Sequence, residues 1–313
     1  MSSEMMYQRD VYGKTLVELG KEDESIVVLD ADLSGSTRTS FFSREFPERF
    51  FNFGVAEQNM IATSSGLASC GKTVFASTFA MFATGRAWDQ LRNSVCYSNL
   101  NVKLVATHAG ITVGPDGATH QALEDIAIMR VIPNMTVIVP CDGPQTKDAI
   151  KAAAIIKGPV YVRLGRVKVS TIEGLGKFEI GVANVLKQGK DIAIFACGIM
   201  TEQALIASKE LAKSQIECSV INMHTIKPLD TDIIDKISMQ VNSIVICEEH
   251  SVIGGLGCAI EEILAKKGLG IKVARVGVNN RFGQSGNSKD LLKEYNLQAV
   301  DIIEAAKKIH NKS

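Results

Sequence analysis

The feature that most constrains this chain is a series of short, mainly apolar runs, each ending in a loop of small or polar residues. Ile26-Val27-Val28-Leu29 is one, followed by Asp30-Ala31-Asp32 and a Ser/Gly/Thr stretch; residues 102–106, 136–139 and 160–162 repeat the pattern. Strands that alternate apolar and polar residues have one wet face, whereas continuous runs fit strands covered on both faces, as in parallel sheets. Helical segments are expected between them at 57–70, stopped by Gly71, and at 86–98, 121–130 and 144–156. Strands alternating with helices through short connections make an α/β domain with an open, mostly parallel sheet.

From residue 167 to 190 the chain carries four glycines and little helical periodicity, which reads as an interdomain connection with a short hairpin. A second alternating series follows, with strands at 192–196, 218–221, 244–247 and 273–276 and helices at 201–213, 230–241 and 257–267. The expected organisation is a first domain over 1–170, a linker over 171–190 and a smaller α/β domain over 191–313. A chain of 313 residues has room for two such domains of ordinary size.

Charge and composition exclude several function classes. Thirty-four basic residues balance thirty-four acidic ones, where a general nucleic-acid binder carries a basic excess. No apolar stretch approaches the roughly 20 residues of a membrane span. The start, MSSEMMYQRD, lacks the basic and apolar regions of a secretory signal. Seven scattered cysteines, an odd number without close pairing, fit free thiols and a cytoplasmic location.

The residues with chemical character lie beyond the carboxyl ends of expected strands, where open α/β sheets bind ligands. Glu57, in Gly54-Val55-Ala56-Glu57-Gln58-Asn59-Met60, opens a helix; it is a partner for the helix dipole or a carboxyl group for a ring nitrogen. Phe79 and Phe82 follow the strand at 73–76, as core packing or as faces for a flat heterocycle. The stretch Thr107–Gln121 holds His108 and His120, with Asp116 and three glycines between them. It lacks the partners of a metal site at ligand spacing, and no G-x-S-x-G elbow marks a nucleophile. Its neutral donors and acceptors with one carboxylate suit a hydroxyl-rich substrate. Arg9, Ser36, Arg163 and Arg166 are weaker signals; the last two follow the strand at 160–162, and a guanidinium matches a phosphate with two parallel N–H donors.

Taken together, residues 54–60, Ser77-Thr78-Phe79, Gly114-Pro115-Asp116-Gly117-Ala118-Thr119-His120-Gln121 and Ile132-Pro133-Asn134-Met135 resemble the transketolase family of thiamine-diphosphate enzymes. The similarity covers the whole chain but only the second and third of the family's three domains. The G-D-G and N-N signature of the diphosphate and Mg²⁺ domain is not present in register. The resemblance therefore implies the C-terminal section of a split transketolase: a pyrimidine-binding domain plus a C-terminal domain. An N-terminal-section subunit would supply the Mg²⁺ and diphosphate site, in a dimer or heterotetramer. The implied activity is transfer of a two-carbon ketol unit between sugar phosphates, as in the pentose phosphate pathway, with no nucleic-acid or membrane partner.

By the same resemblance, Glu57 donates a hydrogen bond to the cofactor's aminopyrimidine, for which it must carry a proton. Phe82 stacks on that ring, with Phe79 beside it. His120 contacts the ketose carbonyl end and Asp116 a neighbouring hydroxyl. Arg9, Ser36, His108 and Arg166 bind the sugar phosphate, with Arg163 the alternative if the loop is counted differently. Gly85 stands where many transketolases have an aromatic, which thins the pocket wall. Residues 86–90 and Ala56-Glu57-Gln58 are closer to 1-deoxyxylulose-5-phosphate synthases. That activity, a 2-oxoacid dehydrogenase beta-type subunit and a non-catalytic partner module are the alternatives. The second domain shows no catalytic constellation, and the family gives it a role in dimer packing.

Overall fold

The structure is a computed structural model that describes residues 4–310. The outermost residues of the two expected domains, 1–3 and 311–313, lie outside the described residues. In chain order the strands are β1 (Met5–Tyr7), β2 (Ile26–Asp30), β3 (Phe50–Asn52), β4 (Thr73–Phe79), β5 (Val102–Thr107), β6 (Thr136–Ile138) and β7 (Val160–Arg163). They continue with β8 (Lys168–Ser170), β9 (Asn184–Lys187), β10 (Ile192–Ala196), β11 (Cys218–Asn222), β12 (Thr225–Lys227), β13 (Ser243–Ser251) and β14 (Lys272–Val278). A seven-stranded sheet has the order β12-β6-β7-β5-β4-β2-β3, and a five-stranded one β14-β13-β10-β11-β9. Within these two sheets pairing is parallel except where β12 meets β6 and β9 meets β11; β1 and β8 form a separate antiparallel pair. The fold is thus α/β, a mostly parallel sheet followed by a second, smaller α/β unit.

The apolar runs form the strands because helices cover both of their faces. Every residue of β2, β4, β5 and β7 is buried. On one face Val28, Phe75, Val105 and Val162 pack with Tyr12 and Leu16 of the helix Gln8–Glu22 and with Ala149 and Ile150 of the helix Gly143–Ile155. On the other, Met60, Leu91, Leu104 and Val137 belong to a cluster that continues into Phe195, Ile246 and Leu256 of the second unit. The two units therefore share one core.

Several elements differ from the sequence expectation. β4 runs three residues further than 73–76, so Phe79 is its last residue rather than part of the following loop. Instead of one helix over 86–98, two π-helical turns (Phe82–Arg86 and Leu91–Cys96) flank a short α-helical piece, Trp88–Gln90. The helix expected from 121 begins at Asp125, because residues 117–124 are spent in turns. The segment 167–190 is not a hairpin. β8 pairs with β1, β9 joins the second sheet, and a single antiparallel bridge links Glu179 and Val182. β12, from the second half of the chain, closes the edge of the first sheet beside β6.

Candidate active site

Side chains at and beyond the carboxyl ends of β2, β4 and β5 form one cluster of contacts. Glu57 is the first residue of the helix Glu57–Ser69, and its side chain is 4% exposed. Its one ion pair is with Arg86, whose NH1 donates to Oε1 at 2.8 Å. The same guanidinium lies over the ring of Phe82, 4.1 Å from its centroid. A flat, hydrogen-bonding cation thus fills the space between this carboxyl group and this ring. Phe79 stacks near Phe82 with centroids 5.9 Å apart and planes inclined by 20°. His120 meets Phe82 edge-on at 5.1 Å, and its Nδ1 is 2.9 Å from the hydroxyl of Thr119.

On the far side of Phe79 stands His108, stacked at 3.8 Å. Its backbone has φ +57°, a region that residues other than glycine seldom occupy and that concentrates at functional sites. Burial, then the charges of Arg9 and Arg166, pull its pKa down to about 3. The ring is therefore neutral at ordinary pH. Arginine can only donate, so Nε2, 3.4 Å from Arg9 NH1, accepts. That leaves the proton on Nδ1, which faces the Thr107 hydroxyl at 2.8 Å. Arg9 also donates to the backbone oxygen of Ser36 at 3.4 Å.

The segment carrying Ser36 is tied down by Asp30, a residue the sequence reading missed. Its carboxylate accepts from the Leu33 amide at 2.6 Å and from the hydroxyls of Thr37 and Thr39 at 2.8 Å each. Burial nevertheless pushes Asp30 up to about 6. Arg38, also missed, completes a trio of cations with Arg9 and Arg166 around His108. It pairs with Asp10 at 2.6 Å. Its only sequence signal is its place two residues after Ser36.

Arg166 and Asp116 come together at 3.3 Å, each about one-third exposed, and Arg166 also donates to the carbonyl of Val113. Arg163 points elsewhere. It is 6% exposed and donates to Asp125 at 2.7 Å and to the backbone oxygen of Glu249 at 2.9 Å. Burial alone would lower its pKa, but Asp125 and then Glu249 hold it above the ordinary value. Asp125 feels the opposite balance: burial would raise it, and the Arg163 charge, followed by His250, keeps it below the usual range. Arg163 is thus bound into an internal network between the two units, and Arg166 is the arginine beside Asp116 whose charge reaches His108.

The nine residues singled out for the site are brought near one another: Glu57 (through Arg86), Phe82, His120, Phe79, His108, Arg9 and Ser36 in one chain of contacts, with Asp116 and Arg166 paired beside it. Arg86 is the main residue that sequence reasoning passed over, although it begins the string Arg86-Ala87-Trp88-Asp89-Gln90. Among the described residues, no group of three or more His, Cys, Asp or Glu side chains is placed to hold a metal ion.

Comparison with known proteins gives this arrangement a family context. Residues 4–171 match the model of the transketolase pyrimidine-binding domain, and residues 181–302 that of the transketolase C-terminal domain. A Methanocaldococcus jannaschii protein provisionally assigned as a transketolase C-terminal section is 54% identical over 297 residues, 94% of this chain and 93% of its own length. A subunit of a 6-deoxy-6-sulfo-D-fructose transketolase from a Clostridium species is 41% identical over 302 residues, covering 96% of this chain and 94% of its own. Among solved structures, a split-gene transketolase in an inactive beta4 tetramer superposes with a TM-score of 0.89 at 50% identity, over 98% of this chain and 99% of that one.

Proposed function

The chain belongs to the transketolase family, and from that premise we propose that it is one half of a thiamine-diphosphate-dependent transketolase assembled from two polypeptides. In this reading an N-terminal-section subunit holds the diphosphate and Mg²⁺, and this chain holds the aminopyrimidine and the sugar. The assembly is a heterotetramer with two copies of each chain. The reaction moves a two-carbon ketol unit from a ketose phosphate to an aldose phosphate.

The observation that carries the reading is the slot between Glu57 and Phe82. The Arg86 guanidinium is planar, donates to the carboxyl group and stacks on the ring. An aminopyrimidine offers the same plane, so Arg86 is a stand-in for its shape; its ring nitrogen accepts where the guanidinium donates, and Glu57 fits it as a protonated donor. The cofactor, when bound, supplies the carbon nucleophile and the electron sink. This chain's contribution is orientation and proton handling.

Glu57, shielded from water, holds the proton at the ring nitrogen once Arg86 has moved off. Phe82 and Phe79 fix the plane of the ring. His120 stands against the edge of Phe82, facing the carbonyl end of the sugar, and Asp116 accepts from a sugar hydroxyl. At the other end Arg9, Arg166 and Arg38 surround the neutral His108, and Ser36, whose backbone oxygen accepts from Arg9, would offer its hydroxyl beside them. Three cations against two carboxylates, Asp10 and Asp116, leave a local excess of one positive charge for a terminal anion.

The test is to combine the purified chain with its N-terminal-section partner, Mg²⁺, thiamine diphosphate, xylulose 5-phosphate and ribose 5-phosphate. Sedoheptulose 7-phosphate is the expected product, and its absence from an intact complex refutes the reading. The sulfosugar relative makes a sulfonate-terminated ketose the informative second donor, because a cation trio binds either anion.

A further inference from the structure

The loop that carries His108, Asp116 and His120 is held by the second unit. Its three glycines, Gly110, Gly114 and Gly117, all have positive φ, of 80°, 82° and 77°. Each also has its back against an atom from the other half of the chain. A Cβ at 110 would fall 2.3 Å from the Glu249 carboxyl group, at 114 it would lie 3.0 Å from Ser288 Oγ, and at 117 2.5 Å from Ser285 Oγ. The glycines thus serve close approach as well as turning.

Polar bonds fasten the same contact. The Thr112 amide donates to Glu249 Oε1 at 2.7 Å, and the Ser288 hydroxyl donates to the Thr112 oxygen at 2.9 Å. Gln121 Nε2 reaches the Gln284 oxygen at 3.0 Å. Glu249 is itself 4% exposed and is fixed from behind, where its backbone oxygen accepts from Arg163. A buried carboxyl group kept so close to a loop backbone sets where that loop can lie.

We propose that Glu249, aided by Ser285 and Ser288, is a positioning residue for the sugar site, acting through Thr112 on the loop 108–121. The second unit then has a part in substrate recognition, beyond the packing role its family suggests. What the loop binds rests on the functional reading above; that the loop is held by Glu249 does not.

The experiment uses the assembled two-subunit complex carrying Glu249→Ala, Glu249→Gln or Ser288→Ala. Three quantities are read: amide hydrogen exchange over residues 110–121, KM and kcat for the ketose phosphate, and the Kd of thiamine diphosphate. Glu249→Ala should speed exchange in that loop and raise KM roughly tenfold each, the worth of one buried hydrogen bond, with the cofactor Kd moving less than about twofold. Glu249→Gln keeps an oxygen for the Thr112 amide and should restore both. Unchanged exchange and KM in Glu249→Ala overturn the proposal, as does a cofactor Kd that rises in step with KM. If Glu249→Ala does not fold, Ser288→Ala carries the test: a smaller shift of both quantities in the same direction supports the proposal, and no shift overturns it. If the unmodified complex transfers no ketol unit, the functional reading fails, and the exchange measurement alone decides the role of Glu249.

Discussion

Replacing Arg163 by methionine should cost far more stability than any change at Arg166, although the two lie only three residues apart, Arg163 closing β7 and Arg166 following it. The Arg163 Nε donates to Asp125 at 2.7 Å, and the Tyr161 hydroxyl donates to the same carboxylate oxygen at 2.6 Å. The second oxygen of Asp125 has no hydrogen-bond partner, and the residue is 1% exposed. Methionine fills much of the same volume but strips this carboxylate of its main opposing charge, leaving the Tyr161 hydroxyl as its hydrogen-bond donor. Breaking a buried pair in that way costs about 3–5 kcal/mol. Arg166 is about one-third exposed and pairs with Asp116 at 3.3 Å, an interaction worth roughly 0–1 kcal/mol in water. The folded-state pKa of Asp125 is depressed, so the stabilisation from the pair is present above the unfolded carboxylate value and is lost as pH falls through the folded one. The wild-type advantage should therefore be full near neutrality and shrink in acid. Adding Asp125→Asn should recover part of the loss, since no charge is then stranded. Urea denaturation of each variant at pH 7 and at about pH 2, below the ordinary carboxylate value of 3.8, measures all of this. A loss below about 1 kcal/mol for Arg163→Met at pH 7, or one that grows in acid, contradicts the buried-pair argument.

Three further outcomes follow from the site and the core. Glu57→Ala should reduce turnover of the assembled enzyme by about 100-fold or more, the usual worth of positioned proton transfer. Its urea midpoint should move little, because the abandoned Arg86 is half exposed; full turnover would remove Glu57 from the reaction. Arg86→Ala frees the face of Phe82, so calorimetric titration should show thiamine diphosphate binding the complex about fivefold tighter, a half-exposed ion pair being worth about 1 kcal/mol. Weaker binding would mean that Arg86 holds the cofactor instead of yielding to it. Lys103 is fully buried, with its ammonium donating to the carbonyls of Ile156 and Gly158, and burial lowers its pKa to about 7. Between about 7 and its unfolded value near 10.5 the unfolded chain binds the extra proton, so stability should rise with pH across that window. Urea midpoints of wild type and Lys103→Met from pH 6 to 10 should diverge accordingly, and parallel curves would refute the shift.

What the sequence made legible, and what it hid, follows from how local each signal is. The runs at 26–29 and 102–106 announce strands because burial on both faces leaves them almost wholly apolar, Lys103 being the one charged residue within them. The loop after β5 is conspicuous because glycines and polar groups crowd into it at a strand end. The helix Gln8–Glu22, which carries Arg9, was passed over: Tyr12, Leu16 and Leu19 keep helical spacing, but Gly13 and Gly20 dilute the pattern. The stretch 82–96 keeps a helical composition, and only tertiary packing decides that its turns widen to π geometry. β12 is three residues long and gains its meaning from β6, nearly ninety positions earlier. Arg163 and Arg166 are equivalent as letters after a strand. Alternation along β7 puts Arg163 on the side of Tyr161 and hence of Asp125, whereas Arg166 lies beyond the strand where no such rule applies. The same alternation separates Glu249 from its neighbours. Glu248 accepts from the Leu256 and Gly257 amides at a helix start, close to His250, while Glu249 points the opposite way, to Thr112. β13 runs on to Ser251 through an irregularity between Cys247 and Ser251, so the directions of Glu248 and Glu249 are set by the folded strand and not by alternation alone. The unreadable quantity was the length of that strand beyond its apolar run, and with it whether the second half of the chain reaches the site.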